Sequence, residues 1–250
     1  MFQRNRGLLT EEEQKKLANL RVGIAGAGMG SQIGLALTRL GVRNFLLVDA
    51  DVVEVHNFNR QAYRWKQIGL NKAEALAVIL REINPEVRLR TWSYEITPDN
   101  ALSFVEGIDV VVDCIDPNPK GLKASIALSR VCQKQKKYFY PLDLGWGARL
   151  YVFSSTGMGL EEFLGVGPDE LKEREGVPFD ILGRAFTFIP DYLGPVFEAM
   201  ARGELEYYPQ VITSTLAVAI LVVVAVAKIV RGESLRLVPE YYSFDPMGAV

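Results

Sequence analysis

The stretch IAGAGMGSQIG, residues 24–34, sets Gly26, Gly28 and Gly30 between a short apolar run and a run with helical spacing. Glycines at such a passage let the main chain turn tightly and bring the amides of a helix N-terminus to a phosphate. Residues 22–25 read as the strand and 31–40 as the helix. Ser31 stands where a strict G-x-G-x-x-G has its last glycine, so the loop is one residue short. Asp49 closes a second apolar strand, 44–48, about 20 residues on, where a carboxylate takes ribose hydroxyls in dinucleotide folds. NAD and ATP satisfy this much equally well.

Outward from that loop, strand and helix patterns alternate. Residues 70–83 (LNKAEALAVILREI) are amphipathic at helical spacing and stop at Asn84-Pro85, as a chain does before proline. Residues 87–93 alternate as a strand, and 109–112 form a buried strand running into Asp113-Cys-Ile-Asp116. This order predicts an α/β, Rossmann-like, doubly wound and mainly parallel sheet with helices on both faces. The chain reads as a single nucleotide-binding domain. An arm and helix fill 1–20, the helix opened by the capping box of Thr10 and Glu13. A core follows at 21–153, an insertion or crossover segment rich in Gly, Pro and acids at 154–210, and an apolar helix with a last strand at 211–250. The insertion offers Phe163, Phe186, Phe188, Tyr192, Phe197, Tyr207 and Tyr208 as a candidate partner groove.

Composition narrows the classes. A formal charge of −2 gives no basic footprint, so nucleic acid is not an expected partner. Cys114, Cys132 and His56 are the only cysteines and histidine, too few for a thiolate or imidazole zinc site or a disulfide framework. The opening MFQRNRGLLTEEEQ has no apolar core of a leader, and a cytoplasmic location is the expectation. Residues 211–230 approach a membrane span in length, but Lys228 breaks them; they read as a buried helix of a core or subunit interface, with no membrane association.

The next stretch separates the nucleotides. VDADVVEVHNFNRQAY, residues 48–63, puts Asp51, Asn57, Asn59, Arg60 and Gln61 directly after the ribose-binding strand, and Lys72 follows on the next helix. A dinucleotide pyrophosphate is handled mainly by amides and a helix dipole, whereas a triphosphate needs cations at its β and γ groups. Arg60 and Lys72 are placed to be those cations. Asp116, at the carboxyl edge of the sheet, is the candidate magnesium ligand.

Here the chain resembles the ThiF/MoeB/HesA-type proteins, bacterial relatives of ubiquitin-activating E1 enzymes. The resemblance rests on Phe2 to Asn5, GAGMGS, LVDADVVEVHNFNRQ, GLNKAEA, INPEV, DCID and the apolar helix after VITST. It implies an ATP- and magnesium-dependent adenylyltransferase that activates a carboxylate, such as the C-terminus of a ubiquitin-like protein, a peptide or a small acid, commonly as a homodimer. Under it, Asp49 holds the ATP ribose, Asn59, Arg60 and Lys72 lie at the phosphates, and Asp116 anchors magnesium. Arg4, with Arg6 as its competitor, resembles the arginine finger that reaches in from the neighbouring subunit.

Departures from the pattern accompany these matches. The glycine loop is short, Asp116 runs into Pro117-Asn118-Pro119, and Gly121 occupies the usual place of an arginine, with Lys120 or Lys123 as replacement point charges. There are no C-x-x-C pairs and no cysteine between residues 141 and 250, so no thioester step is expected on this chain. The leading expectation is adenylation that ends at the acyl-adenylate. The alternatives are a non-catalytic nucleotide-binding partner and, ranked last, an NAD-dependent oxidoreductase.

Overall fold

The computed structural model describes residues 1–133, 136–166, 170–171, 181, 183 and 189–247. Seven strands form one sheet in the order β3-β2-β1-β4-β5-β6-β7. Strands β1 (Arg21–Ala25), β2 (Asn44–Val48), β3 (Arg88–Trp92), β4 (Val110–Asp113) and β5 (Lys137–Leu144) run parallel. Strands β6 (Gly147–Phe153) and β7 (Tyr241–Phe244) add antiparallel on the far edge. The α/β doubly wound class stands. The central strands lack polar alternation because both faces are covered, as a parallel sheet requires.

The helices divide between those faces. On one lie α1 (Glu11–Asn19), α2 (Gly30–Leu40), α3 (Lys72–Ile83) and the long α8 (Ile212–Arg231), packed over Val22, Ile24, Leu47 and Val112. On the other lie α4 (Ala101–Val105), α5 (Pro119–Cys132) and α6 (Leu160–Leu164), over Leu46, Val48 and Val111. A short α7 (Gly194–Ala201) follows. The capping box is present: the Thr10 hydroxyl accepts from the Glu13 amide and the Glu13 carboxylate accepts from Thr10 N. Phe163 is not part of a groove. It packs against Tyr151 and Phe153, because one α6 face closes the core. Phe186 and Phe188 lie outside the described residues.

Among the described residues α8 is the one helix long and apolar enough to cross a membrane, and half of its apolar window is buried against α2, β5 and β6. Ile212, Leu216, Ile220 and Val224 recur every fourth residue and stay 40–50% exposed. That spacing lines them up on one face, a continuous apolar stripe.

Strand order reverses between β1 and β4, and in such sheets ligands settle outside the carboxyl ends at that point. The glycine loop leaves β1 there and the DCID turn leaves β4.

Candidate nucleotide site

Gly26 has φ +90°, and a Cβ on it would lie 2.3 Å from the Cys114 carbonyl oxygen. Only glycine lets the loop pass so close to β4. Gly30 serves packing instead: a Cβ there would meet the Ile24 side chain at 2.5 Å. Ser31 is buried, its hydroxyl donating to Gly28 O (2.7 Å) and accepting from Ala62 N (3.0 Å). Expected as nucleotide contacts, Gly30 and Ser31 instead pin the loop, because the α2 N-terminus turns them onto β1 and the 57–63 segment. The amides of Gly28 and Met29 have no protein acceptor among the described residues, and both residues line the cavity.

Asp49 braces this loop. Its carboxylate accepts from Ala27 N (2.6 Å) and Asp51 N (2.8 Å) while bordering the cavity, with lone pairs left for hydroxyls. Burial raises its pKa against those amides and Lys72. The Tyr63 hydroxyl donates to Ala27 O (2.7 Å), tying the loop to the next segment. Asn57 is buried, its side-chain oxygen accepting from Glu54 N. Gln61 keeps a buried Oε1 without a protein partner among the described residues, an acceptor bordering the cavity.

The charged residues converge. A cavity of about 1500 Å³ is lined by Gly26, Gly28, Asp49, Asp51, Asn59, Arg60, Gln61, Lys72 and Asp116, among others. Lys72, 7% exposed, pairs with Asp51 at 2.8 Å. Arg60 donates to His56 O (3.1 Å) and Asn59 Oδ1 (2.8 Å); burial lowers its pKa, and Asp143 and Asp116 oppose that. Burial raises the pKa of Asp116 while Lys72 and Arg60 hold it down. Asn118, not Asp116, caps α5, accepting from Gly121 N at 2.9 Å, so Asp116 is left to the cavity.

The other acid of the motif has a different task. Asp113 is buried, accepts from the Tyr138 hydroxyl and from Ile115 N (3.0 Å), and shapes the turn that presents Asp116. Burial pushes its pKa up to about 6. A carboxylate raised on folding binds its proton more tightly when folded, so stability falls as pH rises from about 4 to 6. Two pKa units correspond to about 3 kcal/mol. Asp113→Asn cannot titrate, and Tyr138 can turn its proton to Ser125 O, 3.2 Å away, to accept the new amide. The variant is expected to gain about 2 kcal/mol on wild type between pH 4.5 and 7.5, read from urea unfolding. An offset equal at both pH values would show that burial of this charge carries no cost.

Gly121 is imposed by the same turn: a Cβ would sit 2.1 Å from Asp116 O, leaving no room for an arginine there. Lys120 borders the cavity in an ion pair with Glu95 and is the cation that stands nearest in sequence. Arg4 is exposed on the arm, which Asn5 fastens to Gln14 (2.9 Å) and Leu40 O (3.0 Å) at the C-terminal end of α2. The cavity is at the other end of that helix, about 16 Å away for eleven residues. Arg4 is not brought to its own site.

Reading by sequence missed Asp143, on β5. It lines the cavity and accepts from Ser214 Oγ (2.7 Å), Gly145 N (2.7 Å) and Gln210 Nε2 (3.4 Å). A lone acid inside the apolar run YPLDL was its signal. Thr215, beside Ser214, donates to Arg60 O at 3.0 Å. Cys114 and Cys132 are buried free thiols whose pKa burial raises, which suits packing rather than nucleophilic attack.

A glycine loop, the carboxylate of Asp49 and two cations, Arg60 and Lys72, meet at the switch point of a Rossmann-like sheet, which makes this cavity a candidate nucleotide site. The sequence model of the ThiF family matches residues 2–249, and the chain belongs to that family. Ubiquitin-like modifier-activating enzyme 5 of Branchiostoma floridae is 34% identical over 137 residues, covering 50% of this chain and 33% of that protein. Its counterpart in Drosophila pseudoobscura pseudoobscura is 35% identical over 134 residues, covering 48% and 33%. The chain thus spans about a third of the length of these curated relatives. Among solved structures, E. coli tRNA N6-threonylcarbamoyladenosine dehydratase in complex with ATP superposes with TM-score 0.64 at 21% identity, over 92% of this chain and 93% of that one. E. coli MccB with MccA gives 0.66 at 18% identity, over 95% and 66%.

Proposed function

We propose that the chain is an ATP-dependent adenylyltransferase that activates a carboxylate and releases pyrophosphate. The observation that carries this is the convergence of Arg60, Lys72 and Asp116 on one cavity beside the amides of Gly28 and Met29, which have no protein acceptor among the described residues. Asp49 and Gln61 offer acceptors to the nucleoside. The fit to magnesium rests on the donor set: one carboxylate, Asp116, suits an ion that takes most of its ligands from phosphate and water. Among the described residues there is no cluster of three or more His, Cys, Asp or Glu for an all-protein site. Bound there, magnesium would neutralise phosphate charge.

A carboxylate oxygen is a nucleophile at neutral pH, so attack on the α-phosphorus needs no general base. What the chain supplies is alignment and cationic groups held in place before the charge develops. The substrate class is a ubiquitin-like C-terminus, a peptide or a small acid, and the setting is a cytoplasmic homodimer. The apolar α8 stripe and the distance of Arg4 from its own cavity support a second copy. Ile220→Glu is expected to shift the chain to monomer by light scattering; an unchanged mass would exclude this face.

Calorimetric titration with ATP and magnesium, and separately with NAD, tests the reading. Saturable ATP binding that Asp116→Ala weakens is the expected result. NAD binding instead would overturn it. ATP binding with no pyrophosphate release across carboxylate substrates would favour the non-catalytic partner, the reading to which the missing arginine at Gly121 points.

A further inference from the structure

The cavity is larger than one small ligand requires. Its roughly 1500 Å³ exceeds the usual pocket range of about 300–1,000 Å³. The residues that lead to a nucleotide lie at the ends of β1, β2 and β4. Beyond Arg60, at the end of β5, the lining changes to Tyr140, Leu142, Leu144, Leu193, Phe197 and Tyr208, with Asp143 among them. Phe197 and Tyr208 stack, centroids 6.1 Å apart, giving that wall a flat apolar surface.

Asp143 has no assigned work in the adenylation step, yet it is elaborately held. Three hydrogen-bond donors fix its carboxylate, and Tyr208 donates to its main-chain oxygen at 3.3 Å. Among the described residues no cation lies within ion-pair distance of it. The charged and titratable groups that face it are Arg60, Tyr192 and Tyr208, with Asp116 acting in turn on Arg60. Arg60 is directed to His56 O and Asn59. A carboxylate in an apolar wall is costly unless something cationic meets it.

We propose that the β5 side of the cavity is a subsite for an ammonium group carried on an apolar or aromatic body, with Asp143 as its counter-charge. This names a substrate class for the adenylation reading and rests on it. The ammonium belongs either to the acid being activated or to an amine that accepts the acyl group. Burial pushes Asp143 up to about 6, so it is charged at pH 7.5 and protonated at pH 5.

The test uses the full chain and two probes of one shape, phenethylamine and phenethyl alcohol, titrated by NMR with ATP and magnesium present. At pH 7.5 the amine is expected to bind at least about tenfold tighter than the alcohol, the weight of a charge-assisted hydrogen bond. In Asp143→Asn, and in wild type at pH 5, that preference should shrink to about twofold. Equal binding of the two probes to wild type overturns the proposal without any variant, as does an unaltered preference in Asp143→Asn. If wild type binds no ATP, the adenylation reading fails, and the same comparison in its absence still decides the subsite. Phenylalanine sorts the source: tighter binding than phenethylamine places the ammonium on the acid, and weaker binding places it on the acceptor.

Discussion

Lys72→Met is expected to weaken ATP binding roughly 10- to 100-fold with little change in stability. Lys72 is buried, but its ion-pair partner among the described residues, the Asp51 side chain, is 66% exposed. A pair with one member in water adds little to folding, so its loss leaves no stranded buried charge. Methionine fills the same channel at similar volume. What goes is a fixed cation that already lowers the pKa of Asp116 and Asp49, and hence acts on anything anionic between them. Calorimetry with ATP and magnesium measures the affinity, and thermal unfolding measures the fold. An affinity within about threefold of wild type would take Lys72 out of the phosphate site.

Gly26→Ala should instead damage the fold. The left-handed φ costs an L-residue about 1–2 kcal/mol, and a Cβ 2.3 Å from a backbone oxygen forces β1 and β4 apart where they pair. Together these come to about 3 kcal/mol, which for a chain of this size lowers Tm by roughly 6–12 °C. Gly28→Ala is the control: its φ is ordinary and its Cβ would meet the Gln61 amide end at 3.2 Å, a group that can give way. A Gly28→Ala variant as unstable as Gly26→Ala would mean that loop entropy, not the approach to Cys114, governs this turn.

The parallel core was legible because each element buries a stretch contiguous in sequence. β1, β2, the Thr10 cap and the helix stop at Asn84 depend on local spacing and local hydrogen bonds. The antiparallel β5–β6 pair was harder, since KYFYPLDL and GARLYVF are apolar on both faces and show little period. Phe163 was misplaced for a related reason: an aromatic in a polar-looking segment gives no hint that the sheet's far face needs covering.

Local pattern therefore determined the strand–helix alternation, the turn that only glycine permits at Gly26, and the cluster of Arg60, Lys72 and Asp116 as a charged set. It gave no task to Asp113, because the burial of that acid depends on Tyr138, a contact made only after β5 is in place. It could not find Asp143 either, whose partners Gln210 and Ser214 lie 67 and 71 residues away and meet it only when α8 packs on β5. Motif spacing encodes what neighbours along the chain can do; strand order sets which distant side chains share a low-dielectric cavity, and that sharing fixes their charge and their task.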